Sequence, residues 1–266
     1  MAAETQYTAN TGMAVISTAN GETDGSGTLG TVLTSPASGA SGTLVKTVTI
    51  KAQGNTTHGM VRLFVYDGVT TRLVREIEIS AVTKSATDPA FEITVPLDLH
   101  LEPSGILKAS TQNAETFNVI AEGQDWAYYT TSVRPESTNY TADNSGMVTI
   151  STANSNLDGT GTLGTVFTAN SDVKGALISS VTIKAQVSTT FGMIRLFLYD
   201  GTNTRLLTEV QVSAVTKSAI AHSFFARVNF GGRGFALQKS YALKASTENA
   251  ESFNVHAEVL EWTYPA

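Results

Sequence analysis

The chain has 266 residues, 41% of them apolar and 15% charged, and 17 Lys and Arg against 23 Asp and Glu leave a net charge of −6. That balance excludes a duplex nucleic-acid partner, which needs a basic patch, and the absence of cysteine excludes disulfides, thiolate nucleophiles and cysteine metal sites. The opening residues, Met1-Ala2-Ala3-Glu4-Thr5-Gln6-Tyr7, have neither the basic nor the apolar region of a secretory signal, and no apolar run reaches the length of a membrane span. The expectation is a soluble protein made in the cytoplasm, with no membrane partner and no cofactor.

In chain order, eight strands are predicted in the first half, near residues 13–18, 28–34, 43–53, 58–66, 71–80, 90–96, 105–111 and 116–129, and no stretch has a helical period. In Val61-Arg62-Leu63-Phe64-Val65-Tyr66 the alternation puts Val61, Leu63 and Val65 on one face and Arg62, Phe64 and Tyr66 on the other. Asp67-Gly68 then marks a hairpin turn. Leu73, Ile77 and Ile79 oppose Glu76 and Glu78, the pattern of a half-buried antiparallel strand.

The second half repeats the first. Ile16-Ser17-Thr18-Ala19-Asn20 and Gly27-Thr28-Leu29-Gly30 return 134 residues later, from Ile150 and Gly161. Val48-Thr49-Ile50-Lys51-Ala52-Gln53 returns after 133, from Val181, and Leu107-Lys108-Ala109-Ser110-Thr111 after 136, from Leu243. Shifts this small place the insertions in loops, as a duplicated folded unit leaves them. The expected fold is all-β: two tandem, duplicated antiparallel β-sandwiches, jelly-roll-like by strand count and size. Residues 1–131 form the first repeat, the polar stretch 132–139 with Pro135 a linker, and 140–266 the second repeat.

Catalytic chemistry finds no footing. His58, His100, His222 and His256 have no histidine at the repeat-related position, so no metal or base spacing arises, and no Gly-x-Ser-x-Gly elbow occurs. Glu115 with Glu122, or Glu251 with Glu258, are acids without a reason to converge. Asp24-Gly25-Ser26-Gly27 and Asp158-Gly159-Thr160-Gly161 have the look of half a calcium loop, but a carboxylate bonding its own backbone beside a glycine explains them better. Gly231-Gly232-Arg233-Gly234 has no helix after it to cradle a phosphate and reads as a loop peculiar to the second repeat. The candidates for an interface or a ligand-facing surface are Arg62, Phe64, Tyr66, Arg195, Phe197 and Tyr199, where aromatic residues alternate with Arg, and Trp126 and Trp262, which close the repeats.

The repeated pattern Leu-Lys-Ala-Ser-Thr, Asn-Ala-Glu, Phe-Asn-Val and a closing Trp resembles the small β-sandwich proteins of tailed bacteriophage particles, the decoration and auxiliary capsid proteins. The resemblance implies a non-enzymatic structural protein located in the virion, whose partners are a capsid protein and copies of itself, with a trimer favoured. Three such chains present six similar domains, matching a hexameric capsomer. The alternative is a tandem carbohydrate-binding module or adhesin with a glycan partner, for which two sandwiches raise avidity.

Overall fold

The computed structural model describes residues 4–37, 41–129, 139–218, 222–230 and 234–263. The chain divides into two compact units, Met1–Thr83 with Ala90–Glu136, and Lys84–Pro89 with Ser137–Ala266. Among the described residues every regular element is a strand, and no helix is long and apolar enough to cross a membrane.

The first unit is built from β1 (Glu4–Ile16), β2 (Gly30–Thr34), β3 (Gly42–Ala52), β4 (Gly59–Tyr66), β5 (Thr71–Ile79), β6 (Glu92–Leu101), β7 (Ile106–Thr111) and β8 (Phe117–Tyr129). One sheet has the order β1-β8-β3-β6 and the other β2-β7-β4-β5. All these strand pairings are antiparallel. Eight strands that swap between two four-stranded sheets in this order form the paired Greek keys of a jelly roll.

The second unit repeats the order. It runs β9 (Asn139–Ile150), β10 (Gly164–Thr168), β11 (Gly175–Ala185), β12 (Gly192–Tyr199), β13 (Thr204–Val212), β14 (Phe225–Asn229), β15 (Phe235–Leu237), β16 (Ala242–Thr247) and β17 (Phe253–Thr263). Its sheets are β9-β17-β11-β14 and β10-β16-β12-β13, with β15 also paired to β11. The strand corresponding to β6 is thus split in two, both pieces following β11, and the insertion around Phe230 and Gly234 separates them. Residues 231–233, the centre of the glycine-rich run noted above, lie outside the described residues, as do 132–138 of the expected linker; Asn139 already opens β9.

Each core fills the gap between two sheets. In the first unit Val45, Val48 and Ile50 from one sheet meet Val61, Leu63 and Leu107 from the other, all with 0% exposure. The inward residues of β11, β12, β16 and β17 are buried in the same way, among them Val181, Ile183, Ile194, Leu243 and Val255. Burial alternates with period two along Phe253–Val259 of β17, whereas β12 is buried on both faces from Gly192 to Leu198.

The structure extends two strands beyond their predicted limits. β1 begins at Glu4 rather than near residue 13, because Glu4–Gly12 pairs with Gly123–Tyr129; its polar run of Thr, Gln and Asn has no apolar period to reveal it. β6 continues to Leu101, held by Thr43 and Leu44 of β3.

Where β1 crosses β2 the sheets nearly touch. A Cβ on Gly12 would lie 2.2 Å from the Val32 carbonyl oxygen, and one on Gly146 would lie 2.2 Å from that of Val166. Even one methyl group forces the sheets apart. Gly146→Ala is therefore expected to cost about 1–3 kcal/mol by overpacking, whereas Gly21→Ala, whose Cβ meets nothing within 4 Å, leaves stability unchanged. Denaturant titration of the two variants checks the contrast.

Candidate functional site

The Arg and aromatic residues of β4 and β12 lie on the side of their sheet turned away from the core, and each unit covers that side with its own chain. The loop from β1 to β2 leaves Ile16 and pairs with β7 through a parallel bridge, Ala19 with Thr111, and the amide of Asn20 donates to the Thr111 carbonyl at 2.7 Å. It then reaches β5, where Gly25 sits against Thr71. The second unit does the same through Ala153 with Thr247, and Gly159 against Thr204.

Asn20 organises the loop from within. Its side-chain nitrogen donates to the carbonyls of Ser26 and Thr28 at 2.9 and 3.0 Å, and its side-chain oxygen accepts from the Glu22 amide. Asn154 makes the same bonds to Thr160, Thr162 and Asn156. Both amides are buried, so each bond replaces water that the folded loop excludes. Gly27 and Gly161 have φ of +75° and +79°, and a Cβ on either would strike the Asn amide at 2.8 Å, so only glycine fits there.

Beneath the loop lies the arginine. Arg195 has 0% exposure; its Nε donates to Glu209 Oε1 at 3.0 Å, its Nη1 to the Asn154 carbonyl at 3.2 Å, and its Nη2 to Glu248 Oε2 at 3.3 Å. Arg62 repeats the first two bonds, to Glu76 at 2.8 Å and to the Asn20 carbonyl at 3.4 Å. The planar fork of guanidinium is what allows one side chain to join a neighbouring strand and a crossing loop. Phe197 packs beside it against Leu157 and Leu163 of the loop and Leu206 of β13. Phe64, its counterpart, is likewise fully buried.

Arg62, Phe64, Arg195 and Phe197 are therefore not the partner-facing or ligand-facing surface that their alternation with aromatics predicts. The alternation identified an outer face correctly and left unstated what covers it. Tyr66 and Tyr199 stay half-buried at the strand ends, where their hydroxyls donate to the carbonyls of Gly68 and Gly201 at 2.7 and 2.6 Å and Lys108 and Lys244 lie over their rings. They hold the hairpin turns. Trp126 pairs with Tyr7 and Gly42 and meets His100 edge-on at 5.1 Å, while Trp262 pairs with Tyr140 and Gly175; both anchor the last strand of their unit.

The loops at one end of each sandwich are stapled together. In the first unit Glu115 Oε1 accepts from both the amide and the hydroxyl of Thr57, at 2.7 and 2.6 Å, and Asn113 donates to the Thr57 hydroxyl and the His58 carbonyl. Thr56 exchanges backbone bonds with Val82. Glu251, Thr190, Asn249 and Phe191 repeat the first arrangement, and Thr189 with Val215 the second. The repeated Asn-Ala-Glu is thus a loop staple. Its role was hidden in the sequence because the partners lie more than fifty residues away.

The aspartates of the glycine-rich turns bond their own backbone: Asp24 accepts from the Ser26 amide at 2.8 Å and Asp158 from the Thr160 amide at 2.9 Å. Hydrogen bonds from Ser26 and Thr160, side chain and backbone, hold both carboxyls below the usual aspartate range. Among the described residues no three His, Asp or Glu side chains gather as metal ligands. Glu258 is engaged with Arg227 and Ser180.

What remains open is the surface. In the first unit a shallow groove runs between β5 and β6, with Ile77, Ile93 and Val95 at its floor and Arg75, Glu76 and Glu78 around it. In the second, Met147 and Phe225 are 68% and 59% exposed, and Phe191 at the loop end is 55% exposed.

No family model matches the sequence, and no curated protein matches it. Among solved structures the chain is similar to one from Sulfolobus turreted icosahedral virus, at 12% identity and a TM-score of 0.27; the likeness covers 89% of this chain, which spans 57% of the length of that one. It is similar to the major capsid protein P2 of bacteriophage PM2, at 11% identity over 97% of this chain and 98% of that one, with a TM-score of 0.24. A third is the tandem CBM22 domain pair of Xyn10C from Paenibacillus barcinonensis, at 10% identity over 97% and 93%, with a TM-score of 0.22. It is the strand order, not these likenesses, that makes each unit a jelly roll.

Two expectations follow from the site. Arg195→Met removes the guanidinium that pairs with the Glu209 carboxylate at 0% side-chain exposure, and costs about 3–5 kcal/mol; Arg62→Met costs less because the Glu76 side chain is 44% exposed and can be hydrated. The pair Arg195→Met with Glu209→Leu recovers most of the loss in denaturant titration. Separately, Glu115→Ala speeds amide hydrogen exchange at Thr57, whose N–H it accepts, and leaves exchange in β3 and β8 slow.

Proposed function

We propose that this chain is a non-enzymatic structural protein of a virus particle, an auxiliary or decorating component that binds copies of itself and the capsid surface. The observation that carries this reading is the tandem pair of jelly rolls with one strand order, in each of which the outer face of one sheet and one loop end are locked by the unit's own side chains. Polar groups that the sequence offers as candidate interface, acid or cation sites are engaged in that locking: Arg195 by Glu209, Glu115 by Thr57, Asp24 by Ser26. A rigid module with a rigid copy attached is suited to packing in symmetric arrays, because little conformational entropy is lost when it assembles.

A second reading, a tandem carbohydrate-binding module, keeps one observation in its favour. Phe191 is 55% exposed at the stapled loop end, where an aromatic ring can stack on a sugar face. Phe64 and Phe197 no longer serve it, since both are buried.

The experiment is to express the chain alone, image it by negative-stain electron microscopy at high concentration, and screen it in parallel on a glycan array. Isolated rings with no glycan captured are the expected outcome for a decorating protein. Sheets or closed shells would instead make it a lattice-forming capsid protein, and a single-chain species that captures a defined glycan, with capture lost in Phe191→Ala, would replace the structural reading by the sugar-binding one.

A further inference from the structure

In the first unit a row of polar side chains crosses the sheet β1-β8-β3-β6 on the face turned away from the core. Lys51 of β3 is paired with Glu92 of β6 on one side and with Asn118 of β8 on the other. Directly paired residues of an antiparallel sheet share a face and have Cβ atoms about 5 Å apart, within reach of a lysine side chain. Lys51 Nζ lies 3.3 Å from Glu92 Oε2 and donates to the Ala90 carbonyl at 2.9 Å. Just past the end of β3, Gln53 donates from Nε2 to Asn118 Oδ1 at 2.9 Å. All of these residues belong to the first unit.

An amine, a carboxamide and a carboxyl group held in one row are the reactants of an amide exchange. We propose that the first unit closes an internal amide bond between Lys51 and Asn118, with Glu92 carrying the protons and Gln53 donating to the oxygen on which charge develops. One proton passes from Nζ to Glu92 across their contact and leaves an uncharged amine beside an uncharged acid; lysine, unlike arginine, can give up its charge. Nζ then turns from the Ala90 carbonyl to the Asn118 carboxamide and attacks Cγ, and the negative charge that arrives on Oδ1 meets the Gln53 N–H already aimed at it. Glu92 gives its proton to Nδ2 and takes one from Nζ as the Cγ–Nδ2 bond breaks. The products are the Nζ–Cγ amide, one ammonia and a protonated Glu92, so no oxidant or further reactant is consumed. Holding the amine opposite the carboxamide supplies the proximity that the uncatalysed reaction lacks. The event happens once per chain, is not turnover, and goes beyond the structural reading above without resting on it.

The second unit supplies an internal control, because it keeps every part except the acid. Lys184 pairs with Asn254 of β17, and Gln186 donates from Nε2 to Asn254 Oδ1 at 2.7 Å. Lys184 Nζ donates to the Ser223 carbonyl at 2.8 Å, as Lys51 does to that of Ala90. On its other side, however, Lys184 pairs with Phe225, where the first unit has Glu92. A phenyl ring carries no proton. The amide therefore forms in the first repeat, joining β3 to β8, and Lys184 and Asn254 stay separate in the second.

The test is mass spectrometry of the purified full chain after unfolding, with peptide mapping. Wild type is expected to be lighter than its sequence by one ammonia, with Lys51 and Asn118 recovered in a single branched peptide, whereas Lys51→Arg, Asn118→Ala and Glu92→Gln each have the full mass. Wild type at full mass overturns the proposal by itself, so a variant that fails to fold does not leave the question open. A missing ammonia that maps to Asn20-Gly21, where a carboxamide beside glycine can cyclise onto the next backbone nitrogen, overturns it as well, and so does a loss that persists in Lys51→Arg. Loss of two ammonias with Lys184 and Asn254 also joined overturns the part given to Glu92, as does a loss retained in Glu92→Gln. The structural reading stands or falls separately, on the imaging and glycan screen.

Discussion

A buried arginine is the constraint on which each unit depends. A guanidinium at 0% exposure can exist only if its charge is compensated and its donors are filled, and Arg195 meets both demands at once through Glu209 on the next strand, Glu248 at the end of β16 and the carbonyl of Asn154 in the crossing loop. The loop must therefore cross the outer face of the sheet at one height and in one register. Asn154, Gly161 and the parallel bridge to Thr247 then follow as the means of holding it there. A buried ion pair of this kind adds little net stability over a hydrophobic pair of equal size; what the crossing contributes is a single arrangement, since a displaced loop leaves a guanidinium donor unfilled in a dry site.

The consequence for function runs through exposure. A four-stranded sheet in a sandwich has an inner face for the core and an outer face available for binding, and in both units the outer face of the second sheet is occupied by the loop. Stapling at the loop end, through Thr57 with Glu115 and Thr190 with Glu251, ties down the loops that ligand sites on β-sandwiches often use. The remaining sheet faces and edge strands are what the locking leaves uncovered. There the two units differ: most of the locking bonds are repeated from one to the other, while Val74 and Leu207, or Ile120 and His256, are not alike in exposure.

Much of this was legible in the chain. The alternation in Val61–Tyr66 and Ile194–Tyr199, the Asp-Gly turns and the repeated segments locate most strands, and eight strands per repeat without helical period leave few folds. The limits lay where a strand has no apolar period, as in Glu4–Gly12, or where an insertion divides it, as between β14 and β15. Of the candidate residues, Arg62, Phe64, Arg195 and Phe197 were visible as an alternating set, yet the alternation assigned them to a surface. The partner that buries Arg62 is Asn20, forty-two residues upstream, and periodicity within a strand contains no information about a loop that crosses it.

The sequence by itself determined that this protein is all-β and written twice, because both properties reside in local patterns: side chains alternate with a period of two, and matched segments recur at a nearly constant distance. The tertiary structure alone decided the strand order that makes each repeat a jelly roll, the burial of the arginine beneath its loop, and which sheet face stays open in which repeat. Those depend on pairings between residues from 14 to more than 100 positions apart, and such pairings are selected by the closing of the whole core rather than by any segment that takes part in them.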